Sequence, residues 1–300
     1  MAALPSGLFF ACRRILLAMQ FHSMKPTNQR DAAIIDKGPR AKVTFTGLCL
    51  EEFFQSPLTR FNKVIIMRSI VSLLTISCLI CGNAAALDIA ALERAMTNPE
   101  RPAEDKARDA SRRAPVVLDF FGVEPGMTVL DINASTGWYT EVLSYAVGSS
   151  GRVLMQNRPD SRAVEAATVR ADRLGNVVQI GAVSEAAPGS VDFAITALNF
   201  HDFHNRDPQV ARDVLAQTMA ALKPGGILGI VDHEGTPGAD NAALHRIAFD
   251  EVVRAVTAAG FAVIGVSQAL DNPADDHTLS PTDPSLGRNT DRIVLKLMKI

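Results

Sequence analysis

The chain has 300 residues, of which 47% are hydrophobic and 21% charged, and a formal net charge of −2. These proportions fit a folded globular protein and exclude disordered, collagen-like and disulfide-dense classes. Residues 1–86 hold 10 Lys and Arg against 4 Asp and Glu, whereas residues 87–300 hold 20 against 28; an acidic main body argues against a nucleic-acid backbone as partner and for a small-molecule substrate.

The front of the chain reads as a targeting segment. From Met67, Met-Arg precedes an apolar stretch from Ile70 to Ile80 and then Gly82-Asn83-Ala84-Ala85-Ala86, the charged, apolar and small-residue order of a secretory signal. Residues 67–86 are therefore expected to be a signal peptide cut after Ala86, giving a periplasmic or secreted product. A bilayer-crossing helix needs about 20 mostly apolar residues, so no stable membrane span is expected after cleavage; a cytoplasmic or membrane-tethered product is the alternative. Such a signal acts at an N-terminus, so translation is expected to start at Met67, with residues 1–66 an upstream read-through or disordered extension. A transit-peptide reading of residues 1–40 rests on Arg13 and Arg14 and is opposed by Asp31 and Asp36. All four cysteines (Cys12, Cys49, Cys78, Cys81) fall in this front part, which excludes thiol chemistry from the main body.

Residues 87–122 read as a helical segment broken at Asn98-Pro99 and Arg101-Pro102, its second part running from Glu104 to Phe121 with a restart at Pro115. From residue 123 onward, strands and helices alternate. Strands are expected at Thr128–Ile132, Arg152–Met155, Val177–Ile180, Val191–Ala197, Ile227–Val231, Ala262–Ser267 and Asp291–Met298. Helices are expected at Trp138–Val147, Ser161–Leu174, Pro208–Leu222 and Asn241–Ala259. That alternation predicts an α/β domain over 123–300, doubly wound, with a mostly parallel sheet and helices on both faces. Ligands of such sheets sit beyond the carboxyl ends of the strands.

The first strand leads into Asp131-Ile132-Asn133-Ala134-Ser135-Thr136-Gly137-Trp138, a small-residue turn entering a helix, where a ligand can approach the backbone closely. Val129-Leu130-Asp131-Ile132 with Gly137, the lead-in Pro125-Gly126-Met127 and the later turn Leu222-Lys223-Pro224-Gly225-Gly226 resemble the class I S-adenosylmethionine-dependent methyltransferases. The family's first-strand motif carries three alternating glycines; two are replaced here, by Asn133 and Ser135. The segments around Trp138, Asn199–His204, Asp232-His233, Asn272–Thr278 and Thr290–Arg292 resemble a bacterial subgroup of predicted methyltransferases, several of which carry signal peptides. The resemblance implies a Rossmann-like, seven-stranded sheet with an antiparallel last strand, S-adenosyl-L-methionine as cofactor, and methyl transfer to a small acceptor.

The resemblance also implies a donor site formed by Asp131, Asn133, Ser135, Gly137, Trp138 and Asn199. The family's ribose-binding acid at the end of the second strand is replaced by Gln156 and Asn157, whose amides match a diol less directionally. Past the fourth strand lie His201, Asp202 and His204, and past the fifth lies His233. They are the candidate catalytic set, with His201 the favoured base and Asp202 available to fix a ring's tautomer. No metal ligands are assigned, because the spacing matches no standard zinc pattern; the same histidines and aspartates leave a metal-assisted hydrolase open. A small-ligand-binding protein on a degenerate scaffold is the other alternative. Trp138 and Tyr139 are expected to pack or to wall the ligand, His245 and Arg246 to be structural residues on a helix, and residues 271–289 to form a lid-like loop carrying His277.

Overall fold

The computed structural model describes residues 86–300. The extension, all four cysteines and the proposed signal up to residue 85 lie outside them. The strands are β1 (Thr128–Ile132), β2 (Arg152–Gln156), β3 (Val177–Ile180), β4 (Val191–Ala197), β5 (Leu222–Gly235), β6 (Ile247–Ala248), β7 (Phe261–Val266) and β8 (Arg292–Lys299). They form one sheet in the order β3-β2-β1-β4-β5-β8-β7, with β6 pairing the end of β5. Strands β1 to β5 are parallel, and β8 runs antiparallel to both neighbours. This is the mixed, Rossmann-like sheet that the alternation and the resemblance predict.

Helices α1 (Ile89–Met96), α2 (Ala103–Lys106), α3 (Asp109–Arg112) and α4 (Ala114–Phe121) precede the sheet. They are followed by α5 (Trp138–Val147), α6 (Val164–Arg173), α7 (Phe200–Arg206), α8 (Pro208–Ala221) and α9 (Phe249–Ala258). Successive strand residues point to opposite faces, so the central strands feed two cores. Leu130 and Ile132 of β1 pack with Leu215 of α8 and Val252 of α9. Val129 packs on the other face with Leu118 and Phe121 of α4 and Leu143 of α5. Gly229 permits the close approach of α4 to β5, since a Cβ there would lie 2.7 Å from the Phe121 ring.

A buried ionic network ties the leading helices to the domain. Glu141 of α5 is fully buried and pairs with Arg170 (2.5 Å) and Arg173 (2.7 Å) of α6, while Arg170 reaches Asp105 of α2 at 2.6 Å. The Trp138 indole N–H donates to the Asp105 carbonyl at 3.0 Å. Buried charges persist in proteins when paired in this way.

Three sequence expectations are corrected. The helix expected over Glu104–Phe121 is divided into three, with Arg113 in a left-handed conformation (φ 41°) before the Pro115 restart. The helix expected from Asn241 starts only at Phe249. Ahead of it, Arg246 is fully buried and donates to the Glu234 and Leu279 carbonyls (2.7 and 2.8 Å) and to Asp275, holding residues 239–246 as turns. Residues 200–206, outside every helix expected from the sequence, form α7, whose seven residues are too few to show a helical period.

Candidate functional site

Beyond the carboxyl ends of β1 to β3 lies a cleft of about 510 Å³. Ile132, Asn133, Gln156 and Gly181 to Val183 line its sheet side; Asp202, Phe203 and Arg206 are on its helical side. Its volume suits a nucleoside-sized ligand. The β1 turn borders it with an unusual backbone: Asn133 (φ 52°), Ser135 (φ 55°) and Gly137 (φ 84°) all lie in the left-handed region. These are the three positions of the family's glycines, so the turn keeps its path after losing two of them. Asparagine tolerates that conformation better than serine does.

What holds the turn is the end of β2. The Asn133 N–H donates to Gln156 Oε1 at 2.9 Å, and Gln156 Nε2 donates to the Gly181 carbonyl at 3.1 Å. Asn157 accepts from the Ser135 N–H (2.8 Å) and donates to the Ser135 carbonyl (2.9 Å). Both amides are buried. The pair expected to meet a ribose therefore brace the turn through their side chains. Asn199 acts likewise from β4's end, donating to the Ile132 and Asn133 carbonyls at 3.2 and 3.3 Å.

Two further residues expected at the donor face away from the cleft. Asp131 is buried and accepts from the Thr140 hydroxyl at 2.6 Å; burial raises its carboxyl to about 7 against the lowering effect of that bond. Trp138 is buried against Tyr139 and beneath the Arg112 guanidinium, 4.5 Å from the ring centre. Gly137 is needed for packing as well as for its φ, because a Cβ there would lie 2.6 Å from Met155 Cε.

The other wall is built by α7 with Val210, Val214 and Gln217 of α8, and α7 is tied in turn to the end of β5. Asp232, fully buried, accepts from the His201 backbone N–H (2.7 Å) and lies 2.7 Å from His201 Nδ1. His201 Nε2 is 3.3 Å from Asp202 Oδ1, and that oxygen is 3.4 Å from His245 Nδ1. Burial alone would lower the His201 imidazole, but Asp202 and Asp232 outweigh it and raise it to about 10. An imidazolium that holds its proton at neutral pH does not suit the base role expected of His201. His233 behaves oppositely: burial, with Arg292 and His201 nearby, lowers it to about 2, and its Nδ1 lies 2.6 Å from the Thr290 hydroxyl oxygen. The His201 and His233 ring centres are 5.8 Å apart.

His204 joins neither ring and lies beside Phe200, 6.4 Å between ring centres. His277 pairs with Asp291 at 3.0 Å, and the 271–289 loop is tied down by the buried Asp275–Arg246 pair. His245, expected to be structural, is brought within 5.9 Å of the His201 ring. No periodicity or motif could have found it, because its place depends on the turns that Arg246 anchors.

A nucleoside methyl donor fits this chain by the cleft's volume and the path of the turn, whose N–H groups at 133, 134, 135 and 137 are taken within the protein. The cleft opens at the left-handed turn, and among the described residues none hydrogen-bonds the side chains of Asn133, Arg206 or Gln217 that line it. The comparisons agree. The methyltransferase small-domain family model matches residues 112–265. A ubiquinone/menaquinone biosynthesis C-methyltransferase of Shewanella sp. (strain ANA-3) is 31% identical over 120 residues, 38% of this chain and 46% of that protein. A ribosomal RNA large subunit methyltransferase E of Acidithiobacillus ferrooxidans is 34% identical over 112 residues, covering 35% of this chain and 51% of that one. The chain thus spans about half the length of the curated relatives it matches. The crystal structure of a SAM-dependent methyltransferase from Aquifex aeolicus shares the fold, with TM-score 0.51 and 21% identity, covering 71% of this chain and 99% of that one. With half of its length matched by the family model, this chain belongs to the methyltransferase small-domain family, and it shares the fold of the Aquifex aeolicus enzyme.

Proposed function

We propose that the chain transfers the methyl group of S-adenosylmethionine to a small-molecule acceptor held between the β1 turn and the His201–Asp202 wall. The observation that carries this reading is the left-handed backbone retained at residues 133, 135 and 137 beside the cleft. Asn133 with Gly181 to Val183 would hold the donor's nucleoside. The bound donor supplies the reactive carbon, so this chain's task is alignment. Asp202, on the cleft wall, offers a carboxylate oxygen to an acceptor O–H or N–H; its pKa is lowered by the His201 hydrogen bond, which keeps it ionised.

A small acceptor is favoured over RNA by the net acidic charge of residues 87–300. The occupied amides of Gln156 and Asn157 favour a second reading, a binding protein on this scaffold that takes another small ligand. Titration calorimetry of the full chain with S-adenosylhomocysteine separates the two. The donor reading expects heat that disappears in Gly137→Asp and in Val210→Trp, the latter filling the cleft from a partly exposed position. No heat at millimolar ligand overturns it. Export through residues 67–86 is part of the proposal and is read by sequencing the N-terminus of the mature product.

A further inference from the structure

Asp202 Oδ1 lies 3.3 Å from His201 Nε2 and 3.4 Å from His245 Nδ1, and the three atoms lie within 4.8 Å of one another. Ligand atoms around a tetrahedral zinc, with bonds of about 2.0–2.2 Å, stand roughly 3.3–3.5 Å apart. Two of the three edges already have that length. The third closes by rotation of His245, whose side chain is 63% exposed. We propose that His201, Asp202 and His245 form a binding site for a divalent transition-metal ion of zinc's class.

The surroundings are those of a ligating imidazole once metal binding displaces the proton on Nε2. The other ring nitrogen of His201 faces Asp232 at 2.7 Å, and a carboxylate on the far nitrogen is the usual means of fixing the orientation of a metal-binding histidine. Asp232 also receives the His201 backbone N–H, so both the ring and its chain are held. On the second segment, the neighbour of His245 is the anchored Arg246, whose carbonyl accepts from Asn205 of α7 at 2.9 Å and so ties the two ligand-bearing segments together. His233 is engaged with Thr290 and His204 lies beside Phe200, which leaves three protein ligands. Two imidazoles and one carboxylate suit zinc, and three ligands leave a fourth position, as in catalytic zinc sites. Asp202 also lines the cleft, so that position adjoins the proposed acceptor.

The site is read without methyl donor, so its failure and the failure of the donor reading are separate results. The full chain is alkylated first, because Cys12, Cys49, Cys78 and Cys81 would themselves take zinc. It is then titrated with zinc by calorimetry and with cobalt by visible absorption. Zinc should bind with an affinity reduced by about tenfold or more in His245→Ala and in Asp202→Asn, but unchanged in His204→Ala. Cobalt should give tetrahedral d–d bands that His245→Ala removes. Both ligand substitutions fall on exposed side chains, and circular dichroism checks that the variants stay folded. Equal zinc affinity in wild type and His245→Ala, or no zinc bound by the alkylated wild type, overturns the proposal and leaves the cluster a set of hydrogen-bonded ion pairs.

Discussion

The two sides of the cleft solve different problems with the same polar chemistry. On the β1–β2 side, Gln156 and Asn157 are neutral and turned onto backbone groups of the β1 turn, as Asn199 is from β4's end. On the β4–β5 side, charged and ionisable groups face one another: His201 between Asp202 and Asp232, with His233 and His245 close by. The first side has traded glycine's freedom for a braced, strained turn. The second spends its side chains mainly on one another and presents Asp202 to the cleft.

The largest expected effect sets the two sides directly against each other. Asp232→Ala removes the partner of a buried imidazolium and of the His201 and His233 backbone N–H groups. Breaking a buried charge pair from one side costs about 3–5 kcal/mol. Asn157→Ala on the other side strands only the neutral amide and carbonyl of Ser135, a loss of about 1–3 kcal/mol. Urea unfolding of both variants measures the difference; equal losses would erase the distinction between a charged wall and a neutral one.

Asp131 lies behind the turn and adds a pH dependence to the neutral side. Its carboxyl titrates near 4 in an unfolded chain and at about 7 when folded. Between those values the folded state binds more protons, so this group's contribution to stability is fully present below about pH 4 and is lost as pH rises through about 7. The total is about 4 kcal/mol at most. Asp131→Asn keeps an oxygen for the Thr140 hydroxyl and should flatten the fall in urea midpoint across that window. An unchanged slope would mean that other carboxylates set the pH dependence.

The sheet was legible because its strands are short apolar runs bounded by turn residues, a pattern set by burial on both faces. The turn at 133–137 was legible as a close approach of backbone to ligand, but the role of its neighbours was not. Gln156 and Asn157 read as ligand groups because sequence places them at a strand's carboxyl end without saying which way their amides turn. His201 read as a base because composition does not show a second carboxylate arriving from β5. His245 was hidden by a helical pattern that begins, in space, only at Phe249. Each miss is a long-range contact, Asn133 to Gln156, His201 to Asp232, or Arg246 to Asp275, that overrides a local pattern.

The smallest effect tests whether the braced turn is strained. Ser135 is held at φ 55°, a region that costs a non-glycine residue about 1–2 kcal/mol. Restoring the family's glycine with Ser135→Gly removes that cost but adds chain entropy to the unfolded state, about 0.5–1 kcal/mol. The backbone bonds to Asn157 use only the residue's N–H and carbonyl, so they survive the change. A net gain of about 0.5–1 kcal/mol is expected. Gly137→Ala should lose stability, since φ 84° and a Cβ 2.6 Å from Met155 act together. If Ser135→Gly destabilised the protein instead, the serine side chain would be contributing to the turn, and the amides of β2 would not by themselves account for a glycine-poor motif keeping its shape.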